Sequence, residues 1–587
     1  MIIDNDTYRK KIAQSALDTS IIVQAGPGSG KTTLLVERLK YIIENRRHSH
    51  SGIACITYTN VAKDEIITRL QKENYIQPKE LFIGTIHSFL HENLIKPYSH
   101  LINRTNQPFR VTTNGFARGL KNEIASILNR SPFKLSEGDF RNFESLGYDE
   151  NGKPCCYRSR VSAQNASKWK SILHEKGLID QQDVIYLSYK ILNEFEHIKK
   201  AFSSRFPNML IDEYQDVTYF QEKIFESLES TSFFCVGDYN QSIFSFTGAE
   251  PKIFNSNKNN KKFKKYDLLN NFRSTRNIVE FSNLKSDLIQ NVFNTYTSTD
   301  KAVIFFKDIK DFDGAIRMFQ QERLKITTNQ QYKPYLILTR YNKNLKEIKQ
   351  IVQDKNNIEG NSFLEKLKKN HYRRYLILKN LLIAIAYKKR HDLNKAMDHI
   401  SESLSYLMFN SHPAYVSLSE IKYDAFMWKK LNVFVLHFLT NPEIENLNPN
   451  NLFETLKTFL VNQSIEVFKL RIGRKLKMLD YDWNGQKRTV SKIKISDLIN
   501  DIVNEHELSK HQENIYSIHS AKGMEAECVL VIAETTKQIK EWLNHNNTSE
   551  EARVGYVAFT RARKLLCIWS PNLKETEFER FDNVQFI

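Results

Sequence analysis

Residues Ala25-Gly26-Pro27-Gly28-Ser29-Gly30-Lys31-Thr32 place small residues, one lysine and two hydroxyls between an apolar run and a helical pattern. Glycines there let main-chain N–H groups converge on phosphate oxygens. The positive end of the next helix adds to the attraction. In that chemistry Lys31 reaches the β- and γ-phosphates of ATP and Thr32 ligates Mg2+, with Thr33 next on the helix. Ala25 stands where the strict pattern has Gly. A second apolar run, Met209–Ile211, ends in two acids. From such a strand end Asp212 holds Mg2+ through water, and Glu213 polarises the attacking water. Arg273, Arg561 and Arg563 lie in motif-like surroundings, Leu269-Asn270-Asn271-Phe272-Arg273-Ser274-Thr275-Arg276 and Val557-Ala558-Phe559-Thr560-Arg561-Ala562-Arg563. A planar, permanently charged guanidinium suits the charge that develops on a transferring phosphoryl group.

The elements that must position these residues follow from hydrophobic rhythm. Ile21–Val23, Ile53–Tyr58 and Leu81–Gly84 read as strands, and Thr33–Ile43 and Ala62–Leu70 as helices. That alternation argues for a parallel α/β sheet. The rhythm lapses over residues 91–178, a polar and mostly helical insertion with the loop Asp149–Pro154 inside it. It resumes at Met209–Ile211 and Phe233–Val236. A second block begins near Arg276, with strands at Ala302–Phe306, Tyr335–Leu338, Cys528–Ile532 and Leu565–Trp569. A long, basic, helical stretch over residues 346–510 interrupts it, with Lys366, Lys368, Lys369, Arg373 and Arg374 close together. The organisation expected is therefore residues 1–90 and 179–275 for the first block and 91–178 for its insertion. The second block takes 276–345 and 511–587, and its insertion 346–510.

Composition narrows the class further. The chain has 587 residues, beyond the roughly 250–300 at which single cores stop growing, so several domains are expected. A net charge of +18 excludes an acidic buffering protein and favours a polyanionic partner. The 41% hydrophobic content is too high for a disordered chain. The apolar run Leu381–Tyr387 falls far short of the ~20 residues of a spanning helix, so no membrane association is expected. The amino terminus lacks the basic flank and apolar core of a signal peptide, and the six cysteines form no zinc or disulfide pattern. A cytoplasmic location is expected.

The order of motifs resembles the UvrD/Rep branch of superfamily 1 DNA helicases. Gln14 matches that family's adenine-reading Gln. Ile56-Thr57-Tyr58-Thr59-Asn60 and Gly84-Thr85-Ile86-His87-Ser88-Phe89 look like its early DNA-contacting motifs, and Asp212-Glu213-Tyr214-Gln215-Asp216 like its acidic motif. Gly237-Asp238-Tyr239-Asn240-Gln241-Ser242-Ile243, the Arg273 motif, His519-Ser520-Ala521-Lys522-Gly523-Met524-Glu525 and Thr560-Arg561-Ala562 complete the series. The resemblance implies an α/β fold of two RecA-like P-loop domains, each with a mostly helical insertion. It also implies ATP and Mg2+ as cofactors and 3′→5′ movement on single-stranded DNA. Residue by residue, it puts Gln241 on the γ-phosphate, Phe272 on the adenine and Glu525 on the ribose. Arg273 and Arg561 reach across the cleft. Thr59, Asn60, Thr85, His87, Phe244, Phe246 and His519 face DNA. For the two histidines, core or capping roles stay open, and for the two phenylalanines core packing competes with base stacking.

One departure stands out. The family has Trp-Arg before Gly-Ala where this chain has Phe246-Thr247-Gly248-Ala249, so one link between nucleotide and DNA is missing. The chain runs only 24 residues beyond Arg563, which leaves no room for a C-terminal nuclease domain. The short length, the Glu-Tyr-Gln-Asp acidic motif and the divergent second insertion resemble the helicase subunit of the Gabija anti-phage system, which pairs with an OLD-type (ATPase–TOPRIM) nuclease. The expected partners are single-stranded DNA, DNA ends and such a nuclease in a hetero-oligomer. The competing expectations are a nucleotide-gated DNA-end sensor that regulates a nuclease without processive unwinding, a DNA repair helicase, and a structural subunit with a dead ATP site. Other P-loop classes fit poorly, since neither a Leu-Ser-Gly-Gly-Gln signature nor a Ser-Ala-Thr motif is present.

Overall fold

The structure is a computed structural model. It describes residues 5–293, 302–326, 335–354, 372–389, 441–453, 494–499, 514–571, 573–574 and 584–587, with scattered positions between 363 and 455. Residues 47–49, 74, 76–77, 103–108, 113–115, 158–159 and 545–548 are excepted. Lys366, Lys368 and Lys369 of the basic group lie outside the described residues.

The amino-terminal strands are β1 (Ile21–Ala25), β2 (Ile53–Thr57) and β3 (Leu81–Thr85). Four short strands follow in the first insertion: β4 (Arg110–Val111), β5 (Leu146–Tyr148), β6 (Pro154–Cys156) and β7 (Leu178–Ile179). The chain then returns with β8 (Asn208–Ile211), β9 (Ser232–Gly237) and β10 (Lys264–Leu268). The first sheet has the order β10-β1-β9-β8-β2-β3, every pair parallel. Parallel strands need crossovers that put helices on both faces, so β1, β2 and β8 are buried throughout. Helices α1 (Asn5–Ala13), α2 (Lys31–Asn45) and α3 (Asn60–Lys72) belong to this block.

Two residue pairs, β11 (Asn270–Asn271) and β12 (Asn291–Val292), form a small parallel ribbon after the first sheet. The second large sheet contains β13 (Val303–Phe306), β14 (Tyr335–Thr339), β15 (Ile515–Ser517), β16 (Ala526–Ile532), β17 (Ala562–Trp569) and β18 (Gln585–Phe586). Its order is β15-β14-β16-β17-β13-β18, again all parallel. This is the expected α/β class. Strands β15 and β18 are additions to the sequence reading, because three- and two-residue edge strands carry too few apolar positions to show a period.

The first insertion differs from a purely helical one. The expected loop at Asp149–Pro154 is the turn of the antiparallel β5–β6 hairpin. Asp149 closes it by accepting the N–H groups of Asn151 (3.0 Å) and Lys153 (2.9 Å), and Gly152 takes φ +74°. Trp169, fully buried between Phe116 and Phe143, centres the insertion's own core. In the second insertion the run Leu381–Tyr387 lies in the helix Tyr372–Lys389 and packs against Phe438, Phe453 and Leu498. No helix among the described residues is long and apolar enough to cross a membrane.

A buried ion cluster ties the first insertion to the sheet block. The Lys170 ammonium lies 2.9 Å from Asp183 and also pairs with Asp180, and all three are almost wholly buried. Asp180 and Asp183 also form a reciprocal cap on the helix Gln181–Glu194, and the Tyr148 hydroxyl donates to Asp183. Removing one partner from such a cluster strands the opposite charge in a dry site, at about 3–5 kcal/mol. Lys170→Met is therefore expected to lower the urea midpoint of the earliest unfolding transition, and adding Asp180→Asn and Asp183→Asn to recover most of it.

Candidate nucleotide and DNA site

Loops at the carboxyl ends of β1, β8, β9 and β10 converge on one seam, the usual ligand edge of a parallel sheet. The loop after β1 turns through Gly28 (φ +69°) and Gly30 (φ +88°), conformations that side chains with a Cβ rarely adopt. Ser29 braces it by donating to the Gly26 carbonyl at 2.7 Å. α2 then starts at Lys31. The Lys31 ammonium is enclosed and makes no hydrogen bond among the described residues. A buried, unmatched cation beside a helix start fits a polyphosphate. Thr32 is half-buried, and the Thr33 hydroxyl accepts from Arg69 at 2.8 Å.

Asp212 and Glu213 follow β8 directly. Asp212 accepts the Glu213 N–H at 3.0 Å, and Glu213 has φ +49°, a strained conformation for a non-glycine residue. The Gln215 amide donates to the Glu213 carboxylate, and its oxygen accepts the Asp238 N–H at 2.9 Å. Asp238 in turn accepts from Gln241 at 2.7 Å, and Gln241 accepts from Arg561 at 2.9 Å. One hydrogen-bonded chain therefore runs from the acidic motif to the second block. Burial, and next the neighbouring Glu213 charge, push the Asp212 carboxyl up. Burial opposes ionisation of Glu213 too, but Lys31, Lys522, Gln215 and Arg561 pull it below its ordinary value.

Three guanidiniums meet across the seam. Arg561 is buried and also donates to the Val557 carbonyl (2.9 Å) and the Met524 carbonyl (3.2 Å). Burial, and next the Arg273 charge, lower it to about 10. Arg273 donates to the Thr560 carbonyl at 3.3 Å and pairs with Glu525, which also pairs with Arg563. Glu525, expected on the ribose, pairs with both Arg273 and Arg563.

The ribbon β11–β12 grips the phosphate loop. Asn271 and Gln290 both donate to the Pro27 carbonyl, at 3.0 and 3.1 Å, and the Phe272 N–H donates to the Gly28 carbonyl at 2.9 Å. A Cβ on Gly28 would sit 2.5 Å from that of Arg273, so only glycine permits this approach. Asn271 lay unselected inside a quoted motif, while no sequence signal pointed to Gln290. On the adenine side Gln14 is exposed just past α1, and Phe272 is 37% exposed with its ring edge-on to Phe293.

The expected DNA residues divide. Thr59 and Thr85 cap helices, accepting the N–H groups of Ala62 (3.2 Å) and Ser88 (3.3 Å), and Asn60 is exposed. Burial lowers the His87 imidazole to about 4, and its enclosed Nε2 makes no hydrogen bond among the described residues. Phe244 stacks on Tyr58, with centroids 5.1 Å apart and planes at 19°, and packs against the second sheet's core. Phe246 is half-buried and edge-on to Phe244 and His519. Arg340 reaches the His519 ring at 3.3 Å and pairs with Glu551 at 2.9 Å. Tyr58, Lys522 and Arg340 were not among the selected site residues, although the first two stood inside quoted motifs.

Comparison with known proteins agrees with this arrangement. A family model for the UvrD/REP helicase N-terminal domain matches residues 5–264, and one for the UvrD-like helicase C-terminal domain matches residues 474–572. The chain is 24% identical to the ATP-dependent DNA helicase Rep of Buchnera aphidicola subsp. Schizaphis graminum, over 95% of this chain and 92% of that protein. It is 24% identical to a probable DNA helicase II homolog of Mycoplasma genitalium, over 93% of this chain and 82% of that protein. It is 23% identical to the Gabija protein GajB of Bacillus cereus strain VD045, over 95% of this chain and 94% of that protein.

Two outcomes follow from the geometry. Lys31→Ala is expected to reduce ATP turnover at least tenfold in a coupled phosphate-release assay, with single-stranded DNA affinity by fluorescence anisotropy unchanged. Glu213→Gln keeps the shape of the side chain and its place beside Gln215, so nucleotide binding by titration calorimetry is expected to survive while turnover falls about a hundredfold or more, within the range of a lost general base.

Proposed function

Because this chain belongs to the UvrD/Rep family of ATP-driven DNA helicases, we propose that it moves 3′→5′ along single-stranded DNA and works beside an OLD-type nuclease in anti-phage defence. The observation that carries the motor reading is the chain from Glu213 through Gln215, Asp238 and Gln241 to Arg561. It links the water-activating carboxylate to a guanidinium of the opposite block. In this reading Lys31 and the N–H groups of Gly26–Gly30 hold the triphosphate. Thr32 and Asp212 hold Mg2+, and Gln241 senses the γ-phosphate. Arg273 and Arg561 stabilise the transferring phosphoryl group. Phe272 and Gln14 hold the adenine. Among the described residues no cluster of three or more His, Cys, Asp or Glu is arranged to hold a metal. The donor set of one hydroxyl and one carboxylate suits Mg2+, which takes most of its ligands from phosphate and water. Held by Thr32 and Asp212, Mg2+ would supply neutralisation of phosphate charge. Glu213 orients the water, and the arginines exclude solvent from the seam.

The defence assignment is supported by end-to-end similarity to the Gabija protein GajB, which this chain covers over 94% of its length. One observation favours a second reading, a nucleotide-gated sensor of DNA ends. Thr247 stands where the resemblance has an arginine, and its uncharged hydroxyl donates to the Phe244 carbonyl at 2.8 Å and hydrogen-bonds the Tyr58 side chain. A strand-displacement assay on duplexes with 3′ or 5′ single-stranded tails separates the two. Release from the 3′-tailed duplex alone is the expected result, whereas DNA-stimulated ATPase with no release on either duplex establishes the sensor. An OLD-type nuclease gene is expected beside this one, and its absence leaves a repair helicase.

A further inference from the structure

Lys522 follows β15 in the second block, yet its ammonium lies among first-block residues. It pairs with Asp216, whose side chain is fully buried, and is itself only 7% exposed. It donates to the main-chain carbonyl of Gln241 at 2.8 Å and sits 3.7 Å from the Glu213 carboxylate. It also lies over the Phe244 ring, 4.9 Å from the centroid, and Phe244 touches both Tyr58 and Phe246. One cation therefore contacts the water-activating carboxylate, the backbone of the phosphate sensor and the aromatic platform. Nothing in the motif series assigns it these contacts.

The vacancy it fills is chemical. Where the resemblance has an arginine between aromatic platform and nucleotide, this chain has Thr247, which has no charge to transmit anything. A cation shared by two carboxylates and a π-face has several near-equivalent positions. A small movement of Phe244 changes its distance to Glu213. A base that stacks on Phe246 presses on Phe244 through their edge-on contact. Resting on the helicase reading above, the geometry points to Lys522 as the positioning residue that couples DNA occupancy at Phe244 and Phe246 to the placement of Glu213. It replaces the absent arginine by reaching in from the opposite block.

The test uses the full chain and measures kcat and KM for ATP with and without oligo(dT). Lys522→Met is expected to reduce the stimulation of kcat by DNA at least tenfold, with the KM for ATP changed less than threefold. Lys522→Arg retains the charge and is expected to keep stimulation within threefold of wild type. Lys522→Met combined with Asp216→Asn removes the buried charge imbalance. It is expected to restore the melting temperature without restoring stimulation. Phe244→Leu keeps bulk without a π-face. It is expected to lower stimulation in the wild-type background and to add nothing to Lys522→Met, as for two residues acting as one unit. Full stimulation in Lys522→Met, equal losses of basal and stimulated kcat, or recovery of stimulation in the Asp216→Asn double variant each overturn the proposal alone. A wild-type chain that hydrolyses ATP with no response to DNA overturns the helicase reading and this proposal together.

Discussion

Around the phosphate loop, Lys31, Arg273, Arg561, Arg563 and Lys522 crowd a seam largely closed to water, facing Asp212, Glu213, Asp216, Asp238 and Glu525. Burial raises the carboxyls of Asp212, Asp216 and Asp238, and it lowers both Arg561, with the Arg273 charge next, and Arg273, where Glu525 opposes it and Arg563 adds to it. Charges removed from water persist only when matched or hydrogen-bonded. Five cations there face five carboxylates, and the Lys31 ammonium makes no hydrogen bond among the described residues. In the proposed reading a triphosphate would bring its charge to Lys31 and draw the two blocks together.

That constraint explains why the contacts are shared rather than paired. Glu525 serves two arginines, and Gln241 joins Asp238 to Arg561. Asn271 arranges three groups, donating to the Pro27 carbonyl while its oxygen accepts the N–H groups of Arg273 and Ser274. In a network of this kind each member holds its neighbour's geometry as well as its own charge. Closure is built into the backbone too. The bond from Phe272 N–H to the Gly28 carbonyl joins the segment carrying the arginine to the loop that receives the phosphates.

On the DNA side the same economy of contacts appears with weaker forces. Tyr58, Phe244, Phe246 and His519 come from three separate loops yet make one aromatic layer, with Lys522 beneath it. An aromatic edge-on contact contributes about 0.5–1.5 kcal/mol, small enough to rearrange when a base arrives. The phosphate side, by contrast, is held by charge-assisted bonds. The charged seam is therefore the stiff half of the site and the aromatic layer the soft half.

The residues proposed for the phosphates are legible because each is bound to a local pattern. Gly26–Thr32 must follow a strand and open a helix, and Asp212-Glu213 must end an apolar strand, so short-range order alone predicts both. The alternation of strands and helices likewise determined the α/β class and the interrupted plan. What the sequence by itself left open were contacts between residues hundreds of positions apart. Gln290 braces Pro27, Glu525 holds Arg273, and Lys522 reaches Asp216 and Glu213. None of these has a local signature, because a long polar side chain on a loop has the same spacing and neighbours whether it meets solvent or a partner across a cleft. The hairpin at Leu146–Cys156 was hidden for the same reason. Its strands are three residues each, too short for a period to emerge, and only packing around Trp169 and the Asp149 turn selects them. Local chemistry can be read along the chain, whereas the sharing of buried charge is decided only when two sheets bring their carboxyl edges together.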